Sequence, residues 1–210
     1  MLRPEYPITT ERLLLRPFAP DDVDAVLAYQ SREDVCRYIP YAPRSREQVI
    51  ERISPSHARS TLDKPGDALS VAVQLRSTGE VVGDVVLIWR SEEHRSGEIG
   101  YVFAPEHAGH GYATEAATAL LRLGFTGLDL HRVIGRLDAR NTASARVLER
   151  LGMRREAHLV EDEWFKGRWS DTVVYAILDR EWQEHALSTD EWVDEVRKLP
   201  KPGTTSTSNR

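Results

Sequence analysis

The apolar positions change their spacing several times along the chain, and each change marks an element. Glu11 to Phe18 carries the run Leu13-Leu14-Leu15 and is stopped by Pro17, which predicts a first strand. Pro20-Asp21-Asp22 opens a helix with Val23, Val26 and Leu27 on one face. Ser45 followed three residues later by Gln48 has the form of a capping box, so a second helix begins there and Pro55 interrupts its later part. Ala68 to Arg76 then alternates (Leu69, Val71, Val73, Leu75) as a half-buried strand. The turn Ser77-Thr78-Gly79-Glu80 leads into a partner strand over Val81 to Trp89, and Gly97 to Phe103 continues the meander.

From Ala113 the spacing becomes helical, with Ala116, Ala117, Leu120, Leu121 and Phe125 on one stripe and an end near Gly127. Arg132 to Leu137 predicts a strand. Asn141 to Leu151 predicts a short helix closed by Gly152, a residue suited to a left-handed C′ position. Two further strands are expected near Arg154 to Val160 and Thr172 to Leu178. Strands joined by short helices inside a mostly antiparallel set predict an α+β layered fold of about seven strands with helices on both faces. After Asp179 the pattern weakens. Thr189 to Leu199 predicts one amphipathic helix (Trp192, Val193, Val196, Leu199), and the Pro, Gly, Ser and Thr residues after it read as a disordered tail. The expected layout is an extension over residues 1–8, one domain over 9–184, and a helix plus tail over 185–210.

The most informative segment runs from Gly97 to Ala116. An apolar strand breaks at Pro105, passes Gly109 and Gly111, and opens a helix. The first four N–H groups of a helix have no intrahelical acceptor, and the dipole adds roughly half a positive charge at that end. Such a junction binds anions, most often phosphate. It can also be an ordinary turn whose glycines only satisfy local geometry.

Composition narrows the function. The chain has 210 residues, enough for one well-buried core, and a net charge of −5 without a long basic block, which argues against nucleic acid. The single cysteine, Cys36, excludes an internal disulfide and a cysteine-based zinc cluster, and a small buried role suits it better than that of a nucleophile. No apolar run is long enough to span a bilayer, so no membrane is expected as a partner. The first residues lack a signal-peptide core, and the cytoplasm is the default compartment.

Gly-Tyr-x-x-x-Pro-x-x-x-Gly-x-Gly-Tyr-Ala-Thr-Glu-Ala, beginning at Gly100, is followed by Asn141-x-x-Ser144 and by Leu151-Gly152-Met153. These motifs, with Thr9-Thr10-Glu11-Arg12-Leu13-Leu14-Leu15-Arg16 before them and Arg168-Trp169-Ser170-Asp171 after them, resemble the GNAT acyltransferases, and most closely their RimJ/RimL-like branch. The resemblance extends from about Thr9 to about Asp179. It implies a GNAT fold with the sheet splayed at the cofactor site, acetyl-CoA as acyl donor, a primary amine as acceptor, and direct transfer with no metal. A protein or peptide N-terminal α-amine is the first acceptor expected. A small amine such as an aminoglycoside-like or polyamine compound is the alternative, and a non-catalytic acyl-CoA sensor is the reading outside enzymes.

The family's loop pattern falls on Ala108-Gly109-His110-Gly111-Tyr112-Ala113, with alanine where glutamine or arginine is usual. One side-chain contact to the pyrophosphate is thereby lost, while the backbone donors from Gly109 to Thr114 remain. By the same resemblance, backbone groups of Val102 and Phe103 face the thioester, and such preorganised donors are often the largest catalytic contribution. Glu98 is the candidate general base, or else a solvent-facing charge. A lysine-type amine costs roughly 4–5 kcal/mol to deprotonate at pH 7 and an α-amine only about 1 kcal/mol, so an uncertain base suits an α-amine better. Asn141 and Ser144 are expected along the pantetheine arm, with Ser144 a proton donor to the leaving thiolate; equally, they begin a helix and cap it. Tyr101 and Tyr112 have the same donor capacity. His107 and His110 read as a solvated pair flanking the loop rather than a metal pair. Trp164, Phe165, Trp169, Tyr38 and Tyr41 are candidates for the acceptor cleft, and Asp171 for a turn or a cationic acceptor. Sheet edges and the Trp192 helix offer surfaces for a homodimer.

Overall fold

The computed structural model describes residues 1–188, so the helix expected over 189–199 and the tail lie outside the described residues. Eight strands form one sheet: β1 (Ile8–Thr9), β2 (Leu13–Arg16), β3 (Ala68–Leu75), β4 (Val81–Ser91), β5 (Ser96–Phe103), β6 (Arg132–Asp138), β7 (Arg154–Phe165) and β8 (Arg168–Leu178). Their spatial order is β1-β2-β3-β4-β5-β6-β8-β7. Every neighbouring pair is antiparallel except β5 and β6, which run parallel. The eighth strand, absent from the sequence reading, is β1. It is two residues long, too short to show a period, and is held by pairing Ile8 with Leu15 across a turn where Thr10 Oγ1 accepts from Leu13 N at 3.0 Å.

Six helices cover the sheet: α1 (Val23–Gln30), α2 (Glu33–Cys36), α3 (Arg46–Ile53), α4 (Tyr112–Arg122), α5 (Thr142–Arg150) and α6 (Asp179–Ser188). The Ser45 capping box starts α3 as expected, with Gln48 N donating to Ser45 Oγ and Ser45 N to Gln48 Oε1. One face of the sheet buries Leu120 and Leu121 of α4 and Leu148 of α5 against Leu13, Leu69, Leu87, Val133 and Ile177. The other face holds a smaller cluster of Val23, Val26 and Tyr29 from α1 with Val49 and Ile53 from α3. Helices on both faces follow from this division of the apolar stripes.

Three boundaries differ from the sequence expectation. Residues 1–7 are not detached from the domain: Leu2 is buried and bridged to Leu62 in both directions, and a Cβ on Gly127 would stand 2.5 Å from Leu2 Cδ1. The last two strands are longer than predicted, because residues 161–171 continue them as a hairpin with Lys166 and Gly167 at positive φ. Their charged, exposed alternation hid the strands. Helix α6 crosses the boundary expected at 184–185, and its Trp182 stacks on Phe125 at 5.8 Å.

Candidate active site

Strand β5 is paired along its whole length with β4 but only at its start with β6. The β5–β6 register ends at Glu98↔Ile134. Ala104 N donates to Val82 O at 2.9 Å, and no register shift interrupts β4–β5 from Gly83↔Phe103 to Trp89↔Gly97. Antiparallel alternation then makes Asp84↔Val102 and Val86↔Gly100 the hydrogen-bonded pairs. The backbone N–H of Val102 is therefore committed to β4. The amides of Tyr101 and Phe103 point the other way, into the opening where β6 has diverged. The expected splay is present, and of the two backbone contacts assigned from sequence, Phe103 faces the opening and Val102 does not; Tyr101 takes its place.

Past β5 the chain makes a short 3-10 turn, Pro105–His107, and reaches Gly109 and Gly111, both at φ +81°. That left-handed conformation is open to glycine at little cost. Gly111 is the N-cap of α4 and brings no side chain to cap the helix. From Gly109 to Thr114 six consecutive backbone N–H groups have no acceptor among the described residues. Thr114 Oγ1 is also buried without a partner. Curled N–H groups at a helix start, with an orphaned hydroxyl beside them, have the donor set a diphosphate requires. The coenzyme A pyrophosphate fits here, and Ala108, Gly109, His110, Gly111, Tyr112, Ala113 and Thr114 form the loop that would hold it.

The loop is clamped by a residue the sequence reading left as strand. Arg12, in the β1–β2 turn, donates from Nη1 to His110 O at 2.8 Å and from Nε to Glu115 Oε2 at 2.7 Å. Its guanidinium lies 4.9 Å from the Tyr112 ring centre, and the same Glu115 accepts from Thr10 Oγ1 at 2.6 Å. A cation thus stands beside the anion loop although position 108 is alanine. The only sequence trace was the Thr-Glu-Arg-Leu run, which reads equally well as strand.

Between the two helical layers, the splay opens a cavity of about 250 Å³. Gly100, Tyr101, Asn141 and Ser144 line it together with Asp84, Arg52, and Tyr38 and Tyr41 of the α2–α3 loop. Tyr101 OH lies 2.9 Å from Ser144 Oγ and donates to Ser144 O at 2.9 Å. Asn141 Oδ1 accepts from Ser144 N at 3.1 Å, so both the capping role and the cavity-facing role of this pair are realised together. Burial pushes the Tyr101 phenol above its ordinary pKa, against the Ser144 hydrogen bond.

Glu98, the expected base, does not line this cavity. Its Oε2 accepts from Arg90 Nε at 3.0 Å and Nη2 at 2.5 Å on the neighbouring strand. Trp164 and Trp169 pack edge to face at 5.3 Å on the β7–β8 hairpin, both exposed, and neither is among the residues that line the cavity. Asp171 accepts from Glu161 N and pairs with His158 Nε2, which is the turn role. His107 pairs with Glu80, and His110 stacks on Tyr112 at 5.5 Å. Cys36 is buried and donates to Gln30 O. An acidic group that does line the cavity, Asp84, is 4% exposed, and its place inside an apolar alternating strand hides it in the sequence.

Residues 12–154 match the family model described as an acetyltransferase (GNAT) domain. The uncharacterized N-acetyltransferase YnaD of Bacillus subtilis (strain 168) is 37% identical over 175 residues, covering 83% of this chain and 98% of that protein. A GNAT-family acetyltransferase from Bacillus anthracis, solved by crystallography, is 36% identical with a TM-score of 0.74, over 82% of this chain and 98% of that one. The crystal structure of spermidine N-acetyltransferase from Vibrio cholerae in complex with CoA and spermine is 25% identical with a TM-score of 0.70, over 83% of this chain and 99% of that one.

Proposed function

The chain belongs to the GNAT acetyltransferase family, and we propose that it moves acetyl from acetyl-CoA directly onto a primary amine, with a protein or peptide N-terminal α-amine as the first acceptor class. One observation carries the reading. The edge of β5 from Ile99 onward is unpaired with β6, its Gly100, Tyr101 and Val102 line the cavity that Asp84 also lines, and the chain passes from its end through one short turn into the Gly109–Thr114 amide loop. A diphosphate on the loop lays the thioester along that edge.

The chemistry needs three things there. Tyr101 N–H and Phe103 N–H are fixed donors for the oxygen of the thioester carbonyl as negative charge develops on it. Tyr101 OH and Ser144 Oγ, already hydrogen-bonded to each other, supply a proton or a hydrogen bond to the departing thiolate. Asn141 holds the start of α5 so that Ser144 faces the arm. No covalent enzyme intermediate is required, since the amine attacks the bound thioester itself.

The acceptor class is tested by thiol release from acetyl-CoA with a panel of amines: peptides with free N-termini, spermidine, spermine and an aminoglycoside. Peptide-dependent release above background, with acetyl found on the α-nitrogen, supports the reading. Release with the polyamines alone moves the acceptor to the class named for the Vibrio cholerae neighbour. Binding of acetyl-CoA without release by any amine would leave only the sensor reading.

A further inference from the structure

Resting on the transferase reading above, we propose that Asp84 is the catalytic base that receives a proton from the acceptor ammonium in the cavity. Asp84 and Val102 are direct partners across β4 and β5, one residue from the Tyr101 and Phe103 amides that face the thioester opening. Partners so placed have Cβ atoms about 5 Å apart. The carboxylate lines the same cavity as Tyr101 and Ser144, so a nitrogen between them meets a proton acceptor on one side and the reacting carbonyl on the other.

The surroundings of Asp84 are built for an incoming donor. Gln30 Nε2 donates to Asp84 Oδ2 at 3.3 Å, and Arg52 Nη2 lies 3.9 Å from the same oxygen while bonding Ser70 Oγ at 2.8 Å. Both contacts fall on Oδ2. Two other acceptors stand in the same buried group, Tyr29 OH and Gln30 Oε1, and neither has a partner. The groups facing Asp84 are Tyr29 and Gln30 from α1, Arg52 from α3, and Tyr41 and Arg44 from the loop before α3. Burial raises the carboxyl above its ordinary range, with Arg52 and Arg44 opposing. A buried carboxylate whose pKa is raised is a stronger proton acceptor than a solvated one.

The acceptor ammonium gives one proton to Asp84, and its freed lone pair forms the N–C bond to the acetyl carbon. The C–S bond breaks, and the thiolate takes a proton from the Tyr101–Ser144 pair. The nitrogen sheds its second proton to refill that pair, and Asp84 returns its proton to solvent.

The test compares wild type with Asp84→Asn and Asp84→Ala. Acetyl-CoA affinity by calorimetry is expected to be unchanged in both, which reports an intact fold and cofactor site. Amine-dependent kcat/KM is expected to fall by about 10²–10⁴-fold. The acid limb of its pH profile is expected to vanish in Asp84→Asn, and added formate to restore part of the turnover of Asp84→Ala. A wild type that turns over while Asp84→Asn matches it in kcat/KM and pH profile overturns the assignment alone. A wild type that releases no thiol with any amine overturns the transferase reading and this assignment with it.

Discussion

Tyr101 and Ser144 meet across two layers of the fold: the Tyr101 hydroxyl, on β5, stands 2.9 Å from Ser144 Oγ at the start of α5. One comes from the strand whose free amides are proposed to meet the thioester and the other from the helix expected along the pantetheine arm. Their contact fixes how far β5 and α5 can part at the splay.

The pair predicts coupled kinetics. Tyr101→Phe is expected to lower kcat by about 10–100-fold and Ser144→Ala by less, since either hydroxyl can reach the sulfur when the other is gone. The double variant should lose more than the product of the two, because each hydroxyl covers for the other in the single variants. Full turnover in Ser144→Ala and Tyr101→Phe alike would place leaving-group assistance elsewhere.

Arg12, not position 108, supplies the cation at the anion loop. Arg12→Ala breaks the bonds to His110 O and Glu115 and removes the charge beside the loop. Acetyl-CoA affinity is expected to fall by about 10–100-fold, as for a charge-assisted contact of about 1.5–3 kcal/mol. Ala108→Arg adds an exposed pair and should tighten binding less than about tenfold. Calorimetry on the two variants decides between them, and a larger gain from Ala108→Arg would show that the missing side chain matters more.

The two loop glycines separate strain from crowding. A Cβ at Gly109 meets nothing within 4 Å, whereas one at Gly111 comes to 3.4 Å from Arg12 Nη2. Both sit at φ +81°, so each alanine costs roughly 1–2 kcal/mol in backbone strain. Melting temperatures should fall for both. Acetyl-CoA affinity should fall further for Gly111→Ala, whose methyl comes into van der Waals contact with the clamp.

Glu98→Gln removes one partner of an ion pair whose arginine is half-exposed, 50%, worth about 1 kcal/mol at most. Its kcat/KM is expected within about fivefold of wild type, with the pH profile intact. A loss of about 10²-fold together with a shifted acid limb would return the base to Glu98.

Asp84 also links function to stability. Its carboxyl titrates higher in the folded chain than in the unfolded one, so the folded state binds more protons between those two values. Stability from this group is fully present below about pH 4, near the unfolded value, and is lost as pH rises through the folded value. Asp84→Asn is therefore expected to melt higher than wild type near pH 7.5, with the gap closing toward pH 4. An equal gap at both pH values would count against the linkage.

Amino-acid order alone determined the sheet class, the glycine loop before α4 and most elements, but not β1, α2 or the far ends of β7 and β8. Period, caps and glycine spacing are local properties, and residues 97–116 carry all of them in one stretch. Ser45 with Gln48, and Gly111 before α4, could be placed without knowing any neighbour. Tertiary structure decided which charges face the chemistry. Glu98 and Asp84 are both acids in apolar strands, and sequence cannot tell that Arg90 lies across from one while α1 and α3 close over the other. Whether Val102 or Tyr101 turns its amide to the opening depends on the parity of pairing with β4, set by Ala104 and Val82. Arg12 reaches His110 and Glu115 across about a hundred residues of chain, a contact that arises only when β2 and α4 pack together.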